Sequence, residues 1–132
     1  MSKALDSQRT YALIGTGGCG KTSLAEMLLF QSGVINRLGA IEEGTTTLDY
    51  EPEEIKRNVT IQLGIAPCEW EGYKMNFIDT PGYSEFCGEV RAALRACDGI
   101  LLVVSAESGV DGYGTGLGLR RRIEAAPHVL CQ

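Results

Sequence analysis

A doubly wound α/β fold, its sheet mostly parallel with one antiparallel hairpin strand, is what three stretches of this sequence predict. Arg9–Ile14 is an apolar strand that runs straight into Gly15-Thr16-Gly17-Gly18-Cys19-Gly20-Lys21-Thr22 and then into a helix-forming segment. Tyr73–Ile78 is a second strand, and it ends on Asp79-Thr80-Pro81-Gly82. Ile100–Val104 is apolar without interruption, the pattern of a central strand covered on both faces.

The first loop fits G-x-x-x-x-G-K-[ST], the phosphate-binding loop of P-loop NTPases. Glycines there let successive backbone N–H groups turn inward into an anion-binding nest that β-carbons would obstruct. Gly15, Thr16, Gly17, Gly18, Cys19, Gly20, Lys21, Thr22 and Ser23 are the expected cradle. Lys21 brings positive charge to the β- and γ-phosphates, the Thr22 hydroxyl can ligate Mg²⁺, and the helix dipole points the same way. A strand before and a helix after favour phosphate binding over a merely flexible glycine-rich loop. The motif leaves ATP and GTP open.

In chain order, residues 1–8 are polar and expected to fray. The first helix spans Thr22–Phe30, with Leu24, Met27, Leu28 and Gln31 at helical spacing as its expected buried face, and Ser32-Gly33 ends it. A polar connection from Asn36 to Asn58 follows, holding Gly44-Thr45-Thr46-Thr47 and the charged run Glu51–Arg57. A connection of this length is either a functional or a solvated loop. Its place between the phosphate loop and the next strand favours a mobile switch, from which Thr60 can reach the metal.

Val59–Ile65 alternates as a half-buried strand, Glu71-Gly72 turns, and Tyr73–Ile78 returns. Ligands of open α/β sheets sit at the C-terminal edge of the strands, so Asp79 should meet the phosphate loop there. Asp79 would hold Mg²⁺ through water and the Gly82 N–H would sense the γ-phosphate, Pro81 and Gly82 allowing the sharp turn. Taken alone, Asp-Thr-Pro-Gly is more often a turn that caps a helix; paired with a phosphate loop it reads as functional. Glu85–Cys97 is a helix with Phe86, Val90, Ala93, Leu94 and Cys97 on one face, broken by Asp98-Gly99. After Val110 no apolar periodicity survives, and Arg120-Arg121-Arg122 reads as a solvated segment rather than a basic patch.

The 132 residues suffice for one domain with a core. A net charge of −5 argues against binding DNA or an anionic membrane through bulk electrostatics. Five cysteines lack any C-x-x-C pair, and Cys87 and Cys97 fall in a helix. They are expected as buried thiols of a cytoplasmic protein rather than a disulfide frame or zinc site. The N-terminus has no apolar signal region, and no run is long enough to span a membrane.

These residues together resemble the N-terminal part of the G domain of a translational GTPase, of the kind found in elongation factor G and its paralogues. The resemblance covers Tyr11 to about Val110: Gly15–Thr22, Leu24-Ala25-Glu26, Gly33–Gly39, Gly44-Thr45-Thr46, Pro67–Trp70, Asp79–Gly82, Phe86 and Gly88–Arg95. It implies GTP/GDP and Mg²⁺ as cofactors, and the ribosome as partner of the full-length protein. Thr22, Thr60 and Asp79 would be the metal residues, with Lys21, Gly82 and Tyr83 at the reacting phosphate.

Three departures bear on function. Asn58 stands where the family has glycine, which Asn can imitate in left-handed conformations. Tyr83 stands where the family has a histidine that positions the attacking water. A phenol with a pKa near ~10 can hydrogen-bond that water but is a poor base at neutral pH. The guanine-reading Asn-Lys-x-Asp is absent from this chain. Three functions therefore stay open: a ribosome-associated GTPase, a nucleotide-binding switch that hydrolyses slowly or not at all, and an inactive product.

The expected organisation is an incomplete G domain over 9–110, truncated before the guanine-specificity motif, and an aberrant tail over 111–132. Ile100–Val104 would then lie at a sheet edge, an aggregation hazard. Read one nucleotide later, the tail's codons can give Gly-Thr-Glu from Gly112–Thr115, then Leu-Val-Trp, Asp-Tyr-Ala-Asp-Glu, Leu-Pro and Phe-Phe-Val. Closing on Asn-Lys, this run follows the family's order, so a frameshift between Val110 and Tyr113 is the expected origin of the tail. The nucleotide sequence decides it: the alternative frame should encode Asn-Lys-x-Asp and a long continuation. A frame without them rules the frameshift out.

Overall fold

The computed structural model describes residues 7–49, 51–57, 59–107 and 109. The expectations for residues 1–6, Asn58 and the tail from 111 onward lie outside the described residues. Strands β1 (Gln8–Ile14), β2 (Gly64–Trp70), β3 (Tyr73–Asp79) and β4 (Gly99–Leu102) form one sheet in the order β2-β3-β1-β4. Its helices are α1 (Lys21–Gln31), the short α2 (Pro52–Arg57) and α3 (Cys87–Ala96), the last preceded by a 3₁₀ turn at Ser84–Phe86. β1 runs parallel to both β3 and β4, and β2 and β3 form the antiparallel hairpin expected around Glu71-Gly72. Among the described residues no helix is long and apolar enough to cross a membrane.

Alternation along β1 sends Ala12 and Ile14 to one face and Leu13 to the other, and each face carries its own core. Ala12 and Ile14 pack with Ile78, Ile100 and the α3 residues Val90, Ala93 and Leu94, the helix face the sequence predicts. Leu13 packs with Ala66, Cys68, Phe77, Leu48 and the α1 residues Ala25 and Leu29. Tyr11 and Phe77 are register partners on neighbouring strands, and their rings stack with centroids 5.9 Å apart. Cys97 is half-buried and donates its Sγ–H to the Leu94 carbonyl at 3.7 Å, while the side chain of Cys87 lies outside the description.

Several expectations need correction. The buried face of α1 is Thr22, Ala25, Glu26 and Leu29, whereas Leu24, Met27 and Gln31 are exposed and Leu28 is only partly buried. The loop sets the rotation of this helix. With Lys21 and Thr22 turned inward, the residues three, four and seven places after Thr22 must follow them inside. The strand expected at Val59–Ile65 starts only at Gly64. Its hairpin partner β3 ends at Asp79, opposite Gly64, and the Ile61 and Gln62 N–H groups are already donated to Glu54.

The run Glu51–Arg57, expected as loop, contains α2. Pro52 opens it, Glu53 and Glu54 fill its first turn, and Lys56 and Arg57 its last, the order that suits the helix dipole. β1 begins at Gln8, inside the stretch expected to fray, paired with Lys74. β4 is shorter than its apolar run and forms an edge of the sheet among the described residues. Ile100 is buried and Leu101 and Leu102 only partly, so among the described residues this strand is covered less than its apolar run implies, as expected of one left at a sheet edge.

Candidate functional site

The register of β1 against β3 builds the site. Leu13 lies opposite Asp79, so both strands deliver their loops to the same sheet edge. Thr80, fully buried, donates its hydroxyl to the Leu13 carbonyl at 2.6 Å and ties the Asp79–Gly82 turn to the strand feeding the phosphate loop. Gly82 then touches that loop. A β-carbon on it would lie 2.5 Å from Gly17 N and 2.6 Å from Thr16 C, both backbone, so only glycine permits the approach. Gly20, which precedes α1, has φ of 97°, a conformation glycine adopts without penalty.

Between these loops lies a cavity of about 310 Å³ lined by Gly17, Gly18, Gly20, Lys21, Thr22, Ser23, Asp49, Thr60, Gly82 and Tyr83 among others. Gly15, Thr16 and Cys19 form the back of the loop rather than its wall. The buried Lys21 donates its Nζ to the carbonyls of Gly15 at 2.9 Å and Thr16 at 2.8 Å, with Cys19 Sγ at 3.7 Å. Those bonds hold the ammonium at the cavity. Tyr83, largely exposed, lays its ring over Gly17.

Two hydroxyl–carboxylate hydrogen bonds meet on the floor. Thr22 donates its hydroxyl to Asp79 Oδ2 at 2.5 Å and Thr60 donates to Asp49 Oδ1 at 2.8 Å, which brings the two threonine oxygens within 3.1 Å of each other. Asp79 has no exposed surface, and its Oδ1 has no hydrogen-bond partner. Burial pushes Asp79 up to about 6, against the lowering effects of the Thr22 bond and of Lys21. Burial raises Asp49 as well, opposed by its Thr60 bond and reinforced by the charge of Glu54. Two hydroxyls and two carboxylates, one of them with an unpartnered oxygen, make a hard-oxygen set that fits Mg²⁺. The glycine cradle and Lys21 beside it fit a polyphosphate.

Lys21, Thr22, Ser23, Thr60, Gly82 and Tyr83 thus converge on one cavity, with Asp79 behind Thr22. Asp49, Glu26 and Glu54 were not expected in the site's framework. Asp49 gave no signal inside a polar connection. Glu26 did, since it falls one helical turn after Thr22 on a face that the loop forces inward.

A family model described as the elongation factor Tu GTP binding domain matches residues 6–120. An elongation factor G-like protein of Mycobacterium tuberculosis is 45% identical over 103 residues, covering 78% of this chain and 14% of its own length. Elongation factor G of Thermotoga petrophila is 41% identical over 107 residues, covering 81% of this chain and 15% of its own. A crystal structure of a Thermus thermophilus protein superposes with a TM-score of 0.84 at 43% identity, over 92% of this chain and 18% of that one. The chain therefore spans between 14% and 18% of the length of these relatives.

Proposed function

The chain belongs to the family of the elongation factor Tu GTP binding domain, and from that premise we propose that it is the N-terminal G-domain part of an elongation factor G-like GTPase, binding GTP with Mg²⁺ in the cavity between its two loops. One observation carries this reading. The buried Asp79, with an oxygen left unpartnered, lies behind the Thr22 hydroxyl, which Thr60 reaches from the long connection. A cation beside the two hydroxyls would give that buried carboxylate a counter-charge.

Thr22 and Thr60 would hold Mg²⁺ directly and Asp79 through water, with Gly15–Ser23 cradling the phosphates and Lys21 on the β/γ oxygens. Bound Mg²⁺ supplies charge neutralisation at those oxygens. Thr60 and the Gly82 N–H report whether a γ-phosphate is there. Once it leaves, both segments lose a partner and relax. As an elongation factor G-like protein, the whole protein would have the ribosome as its partner, in the cytoplasm.

A second reading, nucleotide binding with slow or no hydrolysis, is favoured by Tyr83. A tyrosine offers no imidazole to take a proton from the attacking water, and its ring lies over Gly17. Calorimetry and phosphate release on the 132-residue chain test both. The expected result is weak, Mg²⁺-dependent binding of triphosphate with little preference for GTP over ATP, because Asn-Lys-x-Asp is not in this chain. Tight GTP-selective binding would show that the base is read by other residues, and absence of any binding overturns the proposal. Rapid phosphate release removes the second reading.

A further inference from the structure

We propose that Glu26 is a positioning residue for Thr60: it latches the connection onto helix α1 at Gly39 and Thr47, Glu54 closes the far end of the connection on itself, and the two together hold the Thr60 hydroxyl beside Thr22. The role rests on the nucleotide reading of the cavity. Glu26 is 1% exposed and sits between Ala25 and Leu29 on the apolar underside of α1. A carboxylate so placed is costly unless its oxygens are satisfied. Both are, and every partner comes from the connection. Oε1 accepts a short hydrogen bond from Thr47 N–H, and Oε2 accepts from Gly39 N–H at 3.4 Å and the Thr47 hydroxyl at 3.5 Å.

Glu54, also 1% exposed, sits in α2 within the connection and closes its far end. Its Oε1 accepts from the N–H groups of Ile61 at 2.9 Å and Gln62 at 3.0 Å, the two residues after Thr60, and its Oε2 accepts from Glu51 N–H at 3.1 Å. Asp49 lies between the latches and accepts from the hydroxyls of Thr60 and Thr46. Thr22 and Glu26 are four residues apart, hence stacked on one face of one helix. The turn of α1 that presents the metal-facing hydroxyl therefore also carries the anchor for the segment bearing the second one. Backbone N–H groups rather than a lysine or arginine satisfy these acids, so each latch fixes a main-chain position.

The test uses the 132-residue chain and two readouts. In the nucleotide-free chain, Glu26→Ala should speed hydrogen exchange of the Thr47 amide and, through the shared segment, of the Ile61 amide, each by about tenfold, the scale of one lost charge-assisted hydrogen bond. With a fluorescent triphosphate analogue, the same change should cut the affinity gained on adding Mg²⁺ by about tenfold while leaving the affinity in EDTA unchanged. Glu26→Gln, which keeps an acceptor oxygen for Thr47 N–H, should restore most of both.

Faster exchange at Thr47 alone reduces Glu26 to a local cap and overturns the positioning role. Equal losses of affinity with and without Mg²⁺ overturn it as well, since they mark general destabilisation. Faster exchange at both amides in a protein whose wild type gains nothing from Mg²⁺ leaves the latch standing but overturns the reading of the cavity, and the positioning role with it.

Discussion

Lys21→Ala is expected to lower the affinity of this chain for a nucleoside triphosphate by about 100-fold, the consequence of removing one member of a desolvated charge pair worth roughly 3 kcal/mol. The magnitude rests on placement. Lys21 is 6% exposed, and the carbonyls of Gly15 and Thr16 hold its ammonium at the cavity, so little ordering is left to be done when phosphate arrives. Removing the side chain leaves those two carbonyls without this donor and removes the only cation lining the cavity among the described residues. Titration calorimetry with and without Mg²⁺ checks the result, and the loss should appear in both. An affinity within a few-fold of wild type would mean that the phosphates do not lie along this loop.

Gly82→Ala is the second large effect, and it acts without touching any charged group. Gly82 does not have a positive φ, so an alanine meets no backbone penalty there. The obstacle is the opposite loop: the new carbon would lie 2.5 Å from Gly17 N and 2.6 Å from Thr16 C. Neither backbone atom can move aside as a flexible side chain would, so the two loops must separate. The expected cost is about 1–3 kcal/mol of stability, the range for overpacking. Triphosphate affinity should fall at least about tenfold as the N–H of residue 82 withdraws from the cavity. Urea unfolding and the same calorimetry measure the two parts. A variant as stable as the wild type with unchanged binding would show that the loops do not need this contact.

How far the site was legible depended on whether chemistry or packing dictated the residues. The phosphate loop and Asp79–Gly82 were legible because their chemistry fixes both residue types and spacing, and the register of β1 and β3 does bring them together. The sheet order around them follows from the hairpin and the parallel partners of β1. The rotation of α1 was not legible. Apolar spacing pointed to Leu24 and Met27, while the loop turns Thr22 and Glu26 inward and satisfies the buried carboxylate from a distant segment.

β2 was displaced for two reasons. Val59–Ile65 imitates strand alternation in a stretch whose amides are committed to Glu54. Pro67 also reads as a breaker inside the true strand. Because β2 is an edge strand among the described residues, a residue without an N–H is tolerated there. α2 hid in a charged run because its buried member, Glu54, carries no apolar signature.

The ring of Tyr83 lying over Gly17 also couples these two positions. Gly17 has no positive φ, so its backbone would accept any residue. What a β-carbon meets first is the tyrosine ring, at 2.5 to 2.9 Å from where that carbon would sit. A side chain at position 17 and the tyrosine ring therefore compete for one space, and because Tyr83 is exposed and flexible the ring can yield it. The two sites are coupled: a residue larger than glycine at 17 displaces the ring from the loop, and a smaller residue at 83 leaves that space open.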